Sequence, residues 1–99
     1  MGTWSSASGS MVPYKLFWRR SAESELRSLP PEAIYRLVKH AEALRNDPRP
    51  PGCHKLAESE RTYRVRSGDY ELVYIVEDYP ALVVEVVRVV HREKGWPVA

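Results

Sequence analysis

The chain has one cysteine, Cys53, in 99 residues, so no intramolecular disulfide can staple it and no cysteine-rich zinc module can form. It has no hydrophobic run long enough to cross a bilayer, and no charged-then-apolar signal segment follows Met11. It also lacks a strong charge bias. Fifteen Lys and Arg stand against 13 Asp and Glu, a formal net charge of +2, and so mild an excess does not by itself indicate a nucleic-acid partner. Cys53 and His54 are adjacent, yet no second ligand pair lies at a spacing useful to a metal. These absences lead to the expectation of a soluble cytoplasmic protein with no membrane partner, no metal and no cofactor. The length suits one domain with a single modest core.

Met1 to Ser10, MGTWSSASGS, carry no charge and no apolar periodicity. They read as an appended leader or tag, residues 1–10, ahead of one domain over residues 11–99. Pro13 to Trp18 is rich in aromatics and predicts a first strand. Ser21 is a candidate helix N-cap, followed by Ala22, Leu26 and Leu29 as one stripe, and this helix stops at Pro30-Pro31. Pro31 and Glu32 suit the opening turn of a second helix, in which Ile34, Leu37, Val38, Ala41 and Leu44 form the apolar face. Asn46 to Gly52 breaks that helix and crosses the surface in extended form.

Two strands, Thr62 to Ser67 and Tyr70 to Val76, then flank a Ser-Gly-Asp turn. A last strand over Leu82 to Val90 is apolar on both faces, as expected of a strand covered on both sides and set inside the sheet beside the first. The order β-α-α-β-β-β gives an α+β domain, two N-terminal helices packed on a small, mainly antiparallel sheet.

The charge distribution is more informative than its sum. Arg45, Arg49, Lys55, Arg61, Arg64 and Arg66 crowd the middle of the chain, and Arg88, Arg92 and Lys94 its end. Strand alternation puts Arg64 and Arg66 on one face. Two guanidinium groups side by side are unfavourable unless an anion or a carboxylate sits opposite, and phosphate is a natural candidate. The competing structural explanation is an exposed arginine paired with a carboxylate, for Arg66 perhaps Glu71.

Together with that order, Lys55-Leu56, the Tyr63 to Tyr74 hairpin YRVRSGDYELVY and the Val89 to Trp96 ending VVHREKGW resemble the RelE/ParE toxin superfamily of toxin-antitoxin systems. The resemblance covers Tyr14 to Trp96. It implies one of two activities: ribosome-dependent cleavage of messenger RNA in the A site by 2′-hydroxyl attack, as in the RelE branch, or inhibition of DNA gyrase, as in the ParE branch. A degenerate, non-catalytic homologue is the third alternative. A cognate antitoxin, and with it a hetero-oligomer, is implied in each case.

By this resemblance Lys55, Arg64, Arg66 and Arg92 fall at or near the basic active-site positions. Arg66 is expected to clamp the phosphate and Arg92 to contact it and stabilise the leaving group, with Lys55 and Arg64 holding substrate. Two positions depart from the RelE pattern. Trp96 stands where many members carry a tyrosine, and an indole can stack on a base but cannot transfer a proton. Glu71 stands where RelE members usually carry an arginine. His91 is the nearest group able to act as acid or base near neutrality, although alternation sets it on the face opposite to Arg92. His54 and His40 are weaker candidates, His40 as a solvated helix residue. Tyr63, Tyr70 and Tyr74 form an aromatic set on the hairpin that could stack an extruded base, but Tyr70 and Tyr74 share a face with Leu72 and Val76 and read as core.

Overall fold

The computed structural model describes residues 13–93. Strand β1 (Lys15–Trp18) leads into helices α1 (Arg20–Arg27) and α2 (Pro31–Ala43), followed by β2 (His54–Lys55), β3 (Thr62–Ser67), β4 (Tyr70–Glu77) and β5 (Val83–His91). The five strands form one sheet in the order β1-β5-β4-β3-β2, antiparallel throughout except that β1 runs parallel to β5. That parallel pair needs a long connection, which the two helices begin. The expected α+β arrangement is observed, and the valine-rich last strand lies inside the sheet beside the first. The short strand β2 is an addition, since two residues carry no readable periodicity.

Both helices pack on the same face of the sheet. Ala22 and Leu26 of α1 and Leu37 and Ala41 of α2, with Leu44 just beyond, join Val65, Leu72, Tyr74, Val76, Val84, Val86 and Val89 in the main core. Pro31 opens α2, where its missing amide costs nothing, and Glu32 meets the positive end of the dipole. Ile34 and Val38 are only partly buried, while Ala33, outside the expected stripe, is buried. Tyr74 is fully buried; its hydroxyl donates to the Pro48 carbonyl at 2.8 Å and burial raises its pKa above the usual tyrosine value.

Strand β5 carries a bulge. Val73 opposes Arg88 and Tyr74 opposes Val86, so Val87 has no partner on β4. Before it Val84 and Val86 face the helices; after it Val89 does, while Val87 and Val90 turn with Val73 to a second cluster on the other face, flanked by Leu56 and Ile75. One extra residue has exchanged the two faces of the strand.

Strand β1 pairs with β5 only as far as Val86. Beyond that point α1 takes over the exposed edge with its side chains. The Ser21 hydroxyl donates to the Val87 carbonyl at 3.0 Å, and the Glu25 carboxylate accepts from the Val89 amide at 2.7 Å and from the Arg88 guanidinium at 2.7 Å. Ser21 and Glu25, four apart, lie on one helix face. Ser21 is therefore not the N-cap: that position is Arg19, whose side chain makes no capping bond and instead meets Glu85 at 3.2 Å.

The hairpin turn needs its glycine. Gly68 has φ of +64°, and the Ser67–Tyr70 pairing leaves Gly68 and Asp69 as a two-residue loop with the left-handed conformation at its first position. A Cβ there would also come within 3.0 Å of the Arg36 guanidinium of α2. At the opposite end of the sheet Asp78 accepts from the Tyr14 hydroxyl and from Arg49, each at 2.6 Å, and Arg49 also donates to the Tyr63 hydroxyl at 3.0 Å. The Arg49 hydrogen bond, followed by that of Tyr14, holds the Asp78 carboxyl below its ordinary value, and the bond to Asp78 raises that of Tyr14.

Replacing Glu25 with Ala strands the Val89 amide and the Arg88 charge, and is expected to lower unfolding free energy by about 1–3 kcal/mol, with Glu25→Gln recovering part, as measured by urea denaturation. Gly68→Ala is expected to cost about 1–2 kcal/mol in the same assay, from the left-handed backbone alone. Asp78, whose folded pKa is depressed, contributes stability above its ordinary value of 3.8 that is lost as the pH falls through the lowered folded value. The stability difference between wild type and Asp78→Asn should therefore shrink below pH 3.8, as read from denaturation at a series of pH values.

Candidate functional site

The face of the sheet away from the helices is where the hairpin arginines point. Register aligns His54 of β2 with Arg64 of β3, Arg64 with Val73 and Val73 with Arg88. The next row on this face aligns Arg66 with Glu71 and Glu71 with Val90. At the β2 side these rows enclose a concavity of about 330 Å³ lined by Gly52, His54, Arg64, Arg66 and Glu71. Gly52, with φ of +93°, turns the Pro/Gly loop into β2 and thereby sets His54 at this rim.

The concavity holds two guanidinium groups and one carboxylate. Glu71, although directly opposite Arg66 on the ladder, reaches diagonally to Arg64, at 3.6 Å. Arg66 is exposed and makes no ion pair among the described residues. The Arg64 contact is long, and its Nε is buried without an acceptor. An unsatisfied buried donor favours any local rearrangement that supplies an oxygen. One guanidinium free and another loosely held make the pocket a place for an anion, and a planar fork is suited to two phosphoryl oxygens.

The other expected site residues are distributed differently. Lys55 pairs with Tyr63, one residue out of phase with Arg64, and its amino group donates to the carbonyls of Ser59 at 2.7 Å and Leu56 at 3.3 Å. It braces the β2–β3 loop. His91 pairs with Tyr70 and meets that ring edge-on at 5.0 Å between centroids, while its Nδ1 accepts from the Glu93 amide at 3.1 Å. The bulge thus puts His91 on the helix-covered side, across the sheet from Arg64 and Arg66. Arg92 follows the strand end, exposed, with its amide donating to the Asp69 carbonyl at 2.8 Å. Alternation past Val90 gives it the same side as Arg66. Trp96 lies outside the described residues.

His40 is not a freely solvated residue, because its Nδ1 lies 2.8 Å from the Ser67 hydroxyl and ties α2 to the end of β3. The residue that the structure adds to the concavity is His54. Its place beside Arg64 depends on the register of a two-residue strand, and the only local signal was its position directly after the Pro/Gly loop. Among the described residues no three His, Cys, Asp or Glu side chains gather as a metal site would require, and no helix is long and apolar enough to cross a membrane.

Comparison with known proteins places this geometry. No curated protein matches the sequence. Among solved structures, the RelBE2 toxin-antitoxin complex of Mycobacterium tuberculosis is similar at 31% identity over 82% of this chain and 100% of that one, with a TM-score of 0.70. A free-state arginine-to-alanine double variant of the Escherichia coli RelE toxin is similar at 30% identity over 85% and 88% of the two chains, again with a TM-score of 0.70. The archaeal RelE-RelB complex of Pyrococcus horikoshii shares the fold, with a TM-score of 0.72 at 24% identity over 85% and 100%. Residues 16–96 match the family model for the ParE toxin of the type II toxin-antitoxin system parDE. With a family match across most of its length and RelE toxins as structural neighbours, the chain belongs to the RelE/ParE superfamily of toxins from type II toxin-antitoxin systems.

Proposed function

We propose that this chain is a RelE-type toxin that cleaves messenger RNA in the ribosomal A site. The observation that carries the reading is the open-face concavity in which Arg66, without an ion pair among the described residues, stands beside a loosely held Arg64. Cleavage by 2′-hydroxyl attack concentrates negative charge on the phosphorus oxygens. Fixed cations aimed at that charge lower the barrier without a metal. Arg66 serves as the phosphate clamp, Arg64 as a second contact once it releases Glu71, and Arg92 as the contact on the leaving-group side. The partner that restrains the toxin is an antitoxin, as in the RelE-RelB and RelBE2 complexes of its structural neighbours, and it acts by covering this basic face.

A second reading is favoured by the ParE description of the matching family and by Glu71, whose carboxylate reduces the field a phosphate would feel. A ParE-type toxin would bind DNA gyrase and needs no proton transfer. Primer extension on a defined mRNA, with and without programmed ribosomes, separates the two. The RelE reading expects cuts only with ribosomes, reduced about 10²-fold or more in Arg66→Ala and in Arg92→Ala. Intact mRNA together with inhibited gyrase supercoiling selects the ParE reading instead. Glu71→Gln releases Arg64, so the RelE reading also expects several-fold faster cleavage at limiting RNA, an advantage that fades as salt is added.

A further inference from the structure

Two arginines can hold a phosphate through the whole reaction, but neither can take a proton from a 2′-hydroxyl, because a guanidinium stays charged at any working pH. The cleavage proposed above therefore needs a group of a different kind at the same concavity. The histidines outside it are committed elsewhere: His40 to Ser67 beneath the end of β3, and His91 to Tyr70 and the Glu93 amide on the helix-covered side. Glu71, the carboxylate of the concavity, is turned to Arg64. His54 is exposed at the rim, directly opposite Arg64 on the ladder, and its imidazole makes no hydrogen bond among the described residues.

We propose that His54 is the general base of this RNA cleavage, an inference that rests on the RelE reading of the same site. Neutral His54 takes the proton of the 2′-hydroxyl as the bond from O2′ to phosphorus forms and the bond from phosphorus to O5′ breaks. Arg64 and Arg66 hold the non-bridging oxygens while this charge shifts. The departing 5′-oxygen takes a proton from water, and the hydroxide left behind is neutralised by the imidazolium, so that His54 ends as it began. The products are a 2′,3′-cyclic phosphate and a 5′-hydroxyl. In this arrangement proton transfer does not depend on a tyrosine at position 96, since the base is His54 of β2.

The charged groups that face His54 are Arg64 and Arg66 from β3 and Glu71 from β4. Guanidinium and carboxylate groups ordinarily titrate far from neutrality, whereas an imidazole titrates within it. A rate change near neutral pH that depends on residue 54 therefore reports the imidazole itself.

The test is single-turnover cleavage of a defined mRNA on programmed ribosomes by wild type, His54→Ala, His54→Asn and Arg66→Ala, from about pH 5 to about pH 8. Rates are expressed as the ratio of wild type to variant so that the pH response of the ribosome cancels, and thermal melts confirm that each variant is folded. The expected result is a loss of about 10²-fold or more in both His54 variants, with unchanged melting. The wild-type to His54→Ala ratio should rise with pH and then level. Folded His54 variants that cut at the wild-type rate while Arg66→Ala does not would overturn this inference and leave the RelE reading standing. A ratio that falls as pH rises would mark a charged imidazole holding phosphate, and would overturn it too. No cutting by wild type removes the inference together with the reading on which it rests.

Discussion

The contact on which most of the architecture turns is the clamp between α1 and the bulged strand β5. Glu25 accepts the Val89 amide and the Arg88 guanidinium, and Ser21 donates to the Val87 carbonyl, where β1 no longer covers the edge. Without these bonds the second half of β5 would present an unpaired ladder edge. With them, the extra residue at Val87 is held in place, and the faces of everything downstream are decided. Val89 completes the main core, Val90 the smaller one, and His91 turns toward Tyr70. A helix that contributes only Ala22 and Leu26 to the buried core is thus worth more to the fold than its apolar area suggests.

The same device separates the two chemistries at the C-terminal end of the strand. Were β5 regular, Val86, Val90 and Arg92 would share the helix-covered side and His91 would join the arginines. The bulge reverses this parity and brings Arg92 to the side of Arg66, in exchange for His91. Charge balance within the concavity of Arg64 and Arg66 is then set by one carboxylate, Glu71. Glu71 cannot neutralise both arginines, and its diagonal reach to Arg64 leaves Arg66 without an ion pair among the described residues. The concavity thus joins two guanidinium groups to one carboxylate that pairs with only one of them among the described residues.

Much of the fold was legible because it follows from local rules. The Pro30-Pro31 break, the apolar face of α2, the Gly68 turn and the two-sided hydrophobicity of Leu82 to Val90 each reflect a steric or burial constraint that acts within a few residues. Ser21 misled for an instructive reason: a serine at the start of a helix suits capping, but a carbonyl on a bulged neighbouring strand made the stronger claim on its hydroxyl. His40 is similar, since its helix position suggested solvent and its bond to Ser67 depends on how α2 lies across the hairpin. Lys55 carried the right charge in the right neighbourhood, yet a register offset of one residue aimed it at its own loop.

By itself the sequence determined the order of the elements other than β2, the identity of the buried strand and the placing of Arg64 and Arg66 on one face, because periodicity and turn chemistry are properties of contiguous residues. Only the tertiary structure decided which histidine meets those arginines and which arginine keeps its charge uncompensated. Those outcomes depend on strand register and on one bulge, and register is a relation between segments far apart in the chain, settled by the clamp of α1 on β5 and by the two-residue pairing of β2 with β3.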